Sequence, residues 1–100
     1  MVEKRSHRRV TLGAEVACRR SNGTSFTGTG RDISIGGMFV EATEAVSFGE
    51  ELSIEVRLPR AKQGMALPAI VRWLGPGGFG VQFGLLGARE THAISELYRG

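Results

Sequence analysis

The chain has 100 residues, of which 41% are hydrophobic and 23% are charged, with a formal net charge of +3 at pH 7. These values are typical of one small globular domain and exclude a wholly disordered chain. No apolar run approaches the roughly 20 residues that a membrane-spanning helix needs, and no apolar stretch follows the charged start to form a secretory signal. The single cysteine excludes an intramolecular disulfide, so we expect a cytoplasmic protein without membrane insertion.

Positive charge is concentrated at the start of the chain. Lys4, Arg5, Arg8 and Arg9 supply four of the thirteen lysines and arginines. Such a cluster at a chain end is typical of a solvated arm or of an anion-binding site. Because the segment has few apolar residues, we predict a flexible basic arm over residues 1–9 and a single domain after it, over residues 10–100.

Most of the remaining chain alternates apolar and polar residues with the period of a β-strand. The first strand begins at Val10, and Asn22-Gly23 after it is a strong hairpin-turn signal. The six predicted strands lie at about residues 10–19, 24–32, 38–40, 51–58, 69–74 and 79–85.

The fifth and sixth strands carry specific expectations about which side chains face the core. Strict alternation places Trp73 on the same face as Val71, and Leu85 on the same face as Phe83. Residues 75–78, Gly-Pro-Gly-Gly, are predicted to form the turn between the two strands. Trp73 and Leu85 are therefore both expected on the apolar side of the sheet.

Only the end of the chain has the spacing of a helix. Between Ala88 and Tyr98, the apolar residues Ile94, Leu97 and Tyr98 recur at spacings of three and four. So short a helix does not hold alone in water, and we expect its apolar face to dock on the sheet. The elements together predict an all-β fold, a six-stranded antiparallel β-barrel with a short C-terminal α-helix.

Reactive side chains are scarce, and they predict a protein that is not an enzyme. His7, His92 and Cys18 do not have the spacing of a zinc site, and Cys18 is expected to be an ordinary buried thiol. Ser34 lies two residues from Asp32, but the glycine elbow that surrounds a hydrolase nucleophile is absent. We therefore expect no catalytic residues, no metal site and no cofactor.

Two polar motifs are informative when they occur together. Arg5 and Arg9 enclose three residues directly before the first strand, and residues 32–37 form an Asp-x-Ser-x-x-Gly motif at the end of the second. Alone, the first is typical of a solvated tail and the second of a turn held by side-chain hydrogen bonds. In this order, RxxxR and DxSxxG resemble the signature of the PilZ domain family, whose ligand is cyclic di-GMP.

The resemblance covers nearly the whole chain, from Arg5 to about Leu97. The run DISIGGMFVEA is similar to the polar turn and apolar third strand of the family. The run AIVRWLGPGGFGVQF is similar to its fifth and sixth strands. The resemblance implies a six-stranded barrel with a C-terminal helix, which the periodicity predicts independently. It also implies a receptor that is read by a separate protein partner.

The residue types in the two motifs suit cyclic di-GMP. A guanidinium pairs with phosphate oxygens and with the O6/N7 edge of guanine, and it stacks on the base. The carboxylate of Asp32 is a natural acceptor for the N1–H and N2–H of guanine, and Ser34 is expected on the same side of the strand. The expected ligand-binding residues are Lys4, Arg5, Arg8, Arg9, Asp32, Ser34, Gly36 and Gly37.

The two glycines and the lysine carry separate expectations. Gly36 and Gly37 would allow a close approach of backbone and ligand that a Cβ would block. The resemblance also implies that the residue directly before RxxxR influences whether one ligand molecule or a stacked pair binds, and the long cation of Lys4 at that position favours the pair. Ligand binding is expected to order residues 1–9 against residues 32–37, and a partner then reads the change.

Two alternatives stay open at this stage. The first is a PilZ domain that acts only as a protein-interaction module, without binding nucleotide. The second is a small basic barrel that binds single-stranded nucleic acid, which the pI of about 9.8 permits. The chain has only seven aromatic residues, and Phe79 and Phe83 are predicted to face inward. Few are left for a stacking platform, so we expect no nucleic-acid partner.

Overall fold

The computed structural model describes residues 9–98 of the chain. Neighbouring strands are all antiparallel, and the order β1-β2-β3-β6-β5-β4 closes into a barrel. The predicted all-β architecture is confirmed. In chain order, the elements are β1 (Val10–Arg20), β2 (Ser25–Ile33), β3 (Gly37–Glu41), β4 (Glu51–Val56), β5 (Met65–Gly75), β6 (Gly78–Phe83) and α1 (Ala88–Glu96).

The barrel interior is filled by the apolar side chains that alternate along each strand. Val16, Ile54, Val71 and Phe79 are all fully buried and come from four different strands. Helix α1 contributes Ile94, which is also fully buried and belongs to the same core. Within residues 9–98 no helix has the length and apolar character needed to cross a membrane.

Cys18 lies in this interior, as expected for an ordinary buried thiol. It is completely inaccessible to solvent. Burial raises the pKa of the thiol to about 11 because the thiolate would lose its hydration, and the nearby Arg20 opposes the shift only in part. The side chain therefore acts as a small apolar residue of the core.

Strand β5 begins at Met65, earlier than predicted, and it includes a proline. Pro68 pairs with Ser53 of β4, and its carbonyl accepts a hydrogen bond from the Gly84 N–H at 2.8 Å. In a strand, the N–H and the carbonyl of one residue point to the same side. The position at which Pro68 lacks an N–H therefore also faces β6. Because β6 ends at Phe83, Pro68 lies beyond the last paired residue of that strand, a position where sheets tolerate proline.

Two predictions about inward-facing residues are wrong. Trp73 is 53% exposed because Val71 pairs with Val81 and Trp73 pairs with Gly80, which leaves Arg72 as an extra residue in β5. This β-bulge reverses the alternation and turns the indole outward. Leu85 is 96% exposed because β6 ends at Phe83, so the alternation of the strand no longer applies to it.

The turn after β2 lies beside both ends of the described chain. Val10 at the start of β1 pairs with Ile33 at the end of β2. Tyr98, just after α1, accepts a hydrogen bond from the backbone N–H of Ile35 at 3.1 Å. The DxSxxG motif is therefore held between the first strand and the C-terminal end of the helix segment.

Candidate ligand-binding site at the turn between β2 and β3

The two sequence motifs meet through a direct ion pair. Arg9 directly precedes β1, and Asp32 lies in β2 opposite Thr11. The Nη1 of Arg9 donates to Oδ1 of Asp32 at 2.6 Å, and the two side chains are 33% and 37% exposed. The pair is therefore formed in a position that a ligand can reach.

Irregular strand pairing sets the orientation of Asp32. Thr11 of β1 pairs with Asp32, and Ala14 pairs with Gly30. Between these two pairs, β1 has two residues, Leu12 and Gly13, whereas β2 has only Arg31. Gly13 has a φ of 68°, a left-handed conformation that glycine adopts without strain. On its other side, β2 carries the extra residue, since Arg31 has no partner in β3. As a result Arg31 and Asp32 both present their side chains to solvent.

Ser34 holds the turn that follows. Its Oγ accepts hydrogen bonds from the N–H groups of Gly36 and Gly37 at 3.0 and 3.3 Å, and its own N–H donates to the Gly37 carbonyl at 2.8 Å. The residue is only 4% exposed. Because β2 ends at Ile33, strand alternation does not place this hydroxyl beside the Asp32 carboxylate. A direct contact of Ser34 with ligand stays a prediction.

The two glycines of the motif fasten the turn to β6. A Cβ on Gly37 would lie 2.1 Å from the carbonyl oxygen of Val81, so only glycine lets β3 approach β6 here. The carbonyl of Gly36 accepts a hydrogen bond from the Phe83 N–H at 2.9 Å. Gly37 is thus required where β3 approaches β6, and a close approach of Gly36 and Gly37 to the ligand stays a prediction.

Three expected ligand-binding residues, Lys4, Arg5 and Arg8, lie outside the described residues. The predicted flexible arm over residues 1–9 falls there too, apart from Arg9. Arg9 is thus the only member of the basic cluster whose contacts are described.

An aromatic pair beside Asp32 was missed by the sequence analysis. Phe39 of β3 is the cross-strand partner of Asp32, and its ring centroid lies 5.6 Å from that of Trp73. Both aromatic residues are paired with Gly80 of β6, which has no side chain to displace them. Strict alternation places Arg72 and not Trp73 on the outer face, so the pattern of this strand alone gives no signal for the pair.

Further polar contacts lie on the same outer surface. Arg31 donates to Glu41 at 2.8 Å, and the Nε of Arg72 donates to Gln82 at 3.2 Å. Within residues 9–98, no three histidine, cysteine or acidic side chains are grouped closely enough to hold a metal ion.

The site therefore presents a guanidinium, a carboxylate and two aromatic rings on one surface. The guanidinium suits phosphate or a purine edge, the carboxylate suits paired N–H donors, and the rings suit a flat base. A small β-barrel with these groups defines a ligand-binding domain. The family model of the PilZ domain matches residues 3–99, and the chain belongs to that family.

Comparison with solved structures finds the same fold at low sequence identity. The chain is similar to the Bacillus subtilis inhibitor of motility MotI/DgrA, with a TM-score of 0.79 and 18% identity over 98% of this chain and 51% of that one. It is similar to the PilZ domain of Escherichia coli YcgR with c-di-GMP, with a TM-score of 0.74 and 15% identity over 97% and 93% of the two chains.

A third similar structure is the K. pneumonia MrkH–c-di-GMP complex, with a TM-score of 0.73 and 18% identity over 98% of this chain and 52% of that one. The chain thus spans about half the length of MotI/DgrA and of MrkH. A search of curated proteins found no significant match.

Proposed function

We propose that the protein is a receptor for cyclic di-GMP, that it is not an enzyme, and that a protein partner reads its ligand-bound state. The observation that carries the proposal is the Arg9–Asp32 ion pair of 2.6 Å, which joins the RxxxR and DxSxxG motifs on an accessible surface. Membership of the PilZ family and the presence of c-di-GMP in two similar structures support it. We propose the cytoplasm as its location.

Each described group has a role that the chemistry of the ligand supports. The guanidinium of Arg9 pairs with a phosphate or with the O6/N7 edge of guanine. The carboxylate of Asp32 accepts the N1–H and N2–H of the same or the second guanine. The rings of Phe39 and Trp73 offer a surface on which a base stacks. Ser34, Gly36 and Gly37 hold the turn in position.

The ion pair also suggests how binding is converted into a signal. Guanine competes with Arg9 for the carboxylate of Asp32, so ligand binding releases the guanidinium to a phosphate. The chain before β1 then moves with Arg9. We propose that Lys4, Arg5 and Arg8 join the ligand at that step and that residues 1–9 become ordered against the turn. The partner recognises this ordered state.

Calorimetric titration with cyclic di-GMP tests the proposal. We expect roughly micromolar affinity, about −8 kcal/mol, and a stoichiometry that distinguishes one ligand from a stacked pair. Cyclic di-AMP is the matched control, because adenine lacks the O6 acceptor and the N1–H and N2–H donors. Absence of heat at high ligand concentration, with the protein folded, would overturn the proposal.

A further inference from the structure

The barrel carries a second concave surface outside the DxSxxG turn. A cavity of about 540 Å³ opens between helix α1 and the loop of residues 57–64 that joins β4 to β5. None of the described residues that line it belongs to the DxSxxG motif. Three basic side chains line it, Arg60, Lys62 and Arg89, together with Met65, His92, Ala93 and Glu96.

The cavity is basic, and most of its charge is unpaired. Within residues 9–98, Arg60, Lys62 and Arg89 form no ion pair with a carboxylate. Arg89 instead donates to the amide oxygen of Gln63 at 3.0 Å, which links the helix to the loop. Among the described residues that line the cavity, Glu96 is the one acidic residue, and its Oε2 lies 3.6 Å from Nε2 of His92. The surface therefore favours a negatively charged occupant.

Arg60 is held at the cavity at a conformational cost. The N–H of Ala61 donates to the Leu58 carbonyl at 3.0 Å, which closes a tight turn with Pro59 at its second position. Arg60, at the third position, has a φ of 72°, the left-handed conformation that usually requires glycine. Every other residue of 9–98 with a positive φ is a glycine. A residue that is strained in a chain rich in glycine indicates that its side chain is used.

The loop that carries Arg60 is braced by a hydrogen bond between its own residues. The Nε of Arg57 donates to the carbonyl of Ala61 at 3.2 Å. Met65 at the start of β5 is buried, and Ala93 of α1 packs against the core. The cavity therefore has an apolar floor and a basic rim on a supported backbone.

We propose that this cavity is the docking site for an acidic segment of a protein partner. The proposal deepens the partner-reading part of the proposed function and rests on it. A single phosphate would occupy only a small part of the cavity and would leave the apolar side chains of its floor, Met65 and Ala93, in contact with water. A peptide that alternates acidic and apolar side chains satisfies both the rim and the floor.

Fluorescence anisotropy on the full chain tests the proposal. The probe is a short fluorescein-labelled peptide of alternating Glu and Leu, and the control peptide has Gln at every Glu position. We expect the Glu peptide to bind and the Gln peptide to bind about ten-fold more weakly or not at all. Arg60→Gly should lower the affinity for the Glu peptide about five-fold. The double variant, Arg60→Gly with Arg89→Gln, should lower it more than about twenty-fold.

Two controls separate docking from folding and from overall charge. Arg60→Gly should have a thermal unfolding midpoint equal to or higher than wild type, since glycine relieves the strained φ. Arg19→Gln removes one positive charge from a solvent-exposed strand position, where it pairs with Glu55, and should leave peptide affinity unchanged. Equal affinity of wild type and the double variant, or of the two peptides, would overturn the proposal.

The remaining outcomes are also decisive. A single-stranded oligonucleotide is tested in the same assay. If it binds to wild type but not to the double variant, and the peptide binds to neither, the occupant of the cavity is nucleic acid and the proposal is overturned. Cyclic di-GMP is titrated in parallel, and Arg60→Gly should keep wild-type affinity for it. Failure of the wild-type protein to bind cyclic di-GMP counts against the proposed receptor function, and loss of peptide selectivity counts against this docking site.

Discussion

The backbone N–H of Ile35, inside the DxSxxG turn, donates a hydrogen bond to the hydroxyl of Tyr98 at 3.1 Å. The two residues are 63 positions apart in sequence. This contact ties the turn that carries the candidate site to the residue that follows α1. The turn therefore depends on the helix segment as well as on its own Ser34 hydrogen bonds.

Tyr98→Phe tests the importance of that contact for the turn. We expect the free energy of unfolding to fall by about 1 kcal/mol, because the Ile35 N–H loses its partner in a partly buried position. Amide exchange at residues 34–37 should become faster, while exchange in β4 stays as in wild type. Unchanged exchange at the turn would show that the hydrogen bond does not hold it.

Asp32→Ala tests the carboxylate of the site. We expect cyclic di-GMP affinity to fall by about 1.5–3 kcal/mol, since a charged acceptor for guanine N–H donors is removed. Glu55→Ala is the matched control, because Glu55 also pairs with an exposed arginine on a strand, Arg19, but lies away from the turn. Calorimetry should show wild-type affinity for the control. Equal losses in both variants would contradict the assignment.

Trp73→Ala tests the aromatic pair. The neighbouring Leu74 is 50% exposed, close to the 53% of Trp73, so Leu74→Ala is a control at matched exposure. We expect Trp73→Ala to weaken cyclic di-GMP by about 1–3 kcal/mol through lost stacking, and Leu74→Ala to have no effect. Because Trp73 is the only tryptophan, its fluorescence in wild type should also change on titration.

Gly37→Ala tests the close approach of β3 and β6. The added Cβ would lie 2.1 Å from the Val81 carbonyl oxygen, so the strands must separate, and we expect destabilisation of about 3 kcal/mol or more. At Gly64 the nearest heavy atom to an added Cβ is 3.6 Å away, so Gly64→Ala should change stability by less than about 1 kcal/mol. Urea unfolding of the two variants gives the comparison.

The buried thiol predicts a loss of stability at alkaline pH. The pKa of Cys18 is about 11 in the folded protein against an ordinary value of 9.0, so above pH 9 the unfolded chain releases its proton first. The stability that the neutral thiol contributes should decline between about pH 9 and pH 11. Cys18→Val, which cannot ionise, should show a smaller decline in urea midpoint over that interval. Identical pH profiles would contradict the prediction.

Periodicity was enough to predict the architecture, because most residues of a closed barrel alternate strictly between core and solvent. It failed at Trp73, where Arg72 is an extra residue that reverses the alternation. A bulge depends on the register with a neighbouring strand, which a single strand's pattern does not contain. The prediction that Leu85 faces the core failed for a related reason, since the end of β6 is set by its partner strands.

The site was predictable in part. The motif identified Asp32 and Arg9, and the structure pairs them. The alternation used to place Ser34 beside Asp32 was valid only inside β2, which ends one residue earlier, whereas the side-chain hydrogen bonds typical of such a turn are made by Ser34. Phe39 was in a predicted strand, but its contact with Trp73 joins two strands that are distant in sequence.

The position of the described chain ends has a practical consequence. Val10 pairs with Ile33 directly before the motif turn, and Tyr98 bonds to Ile35 within it. A tag or fused domain on a short linker at either end is expected to stand beside the candidate site and to compete for its space. A long linker avoids this in binding assays. In a multidomain arrangement, the same geometry lets an adjoining domain sense occupancy by direct contact.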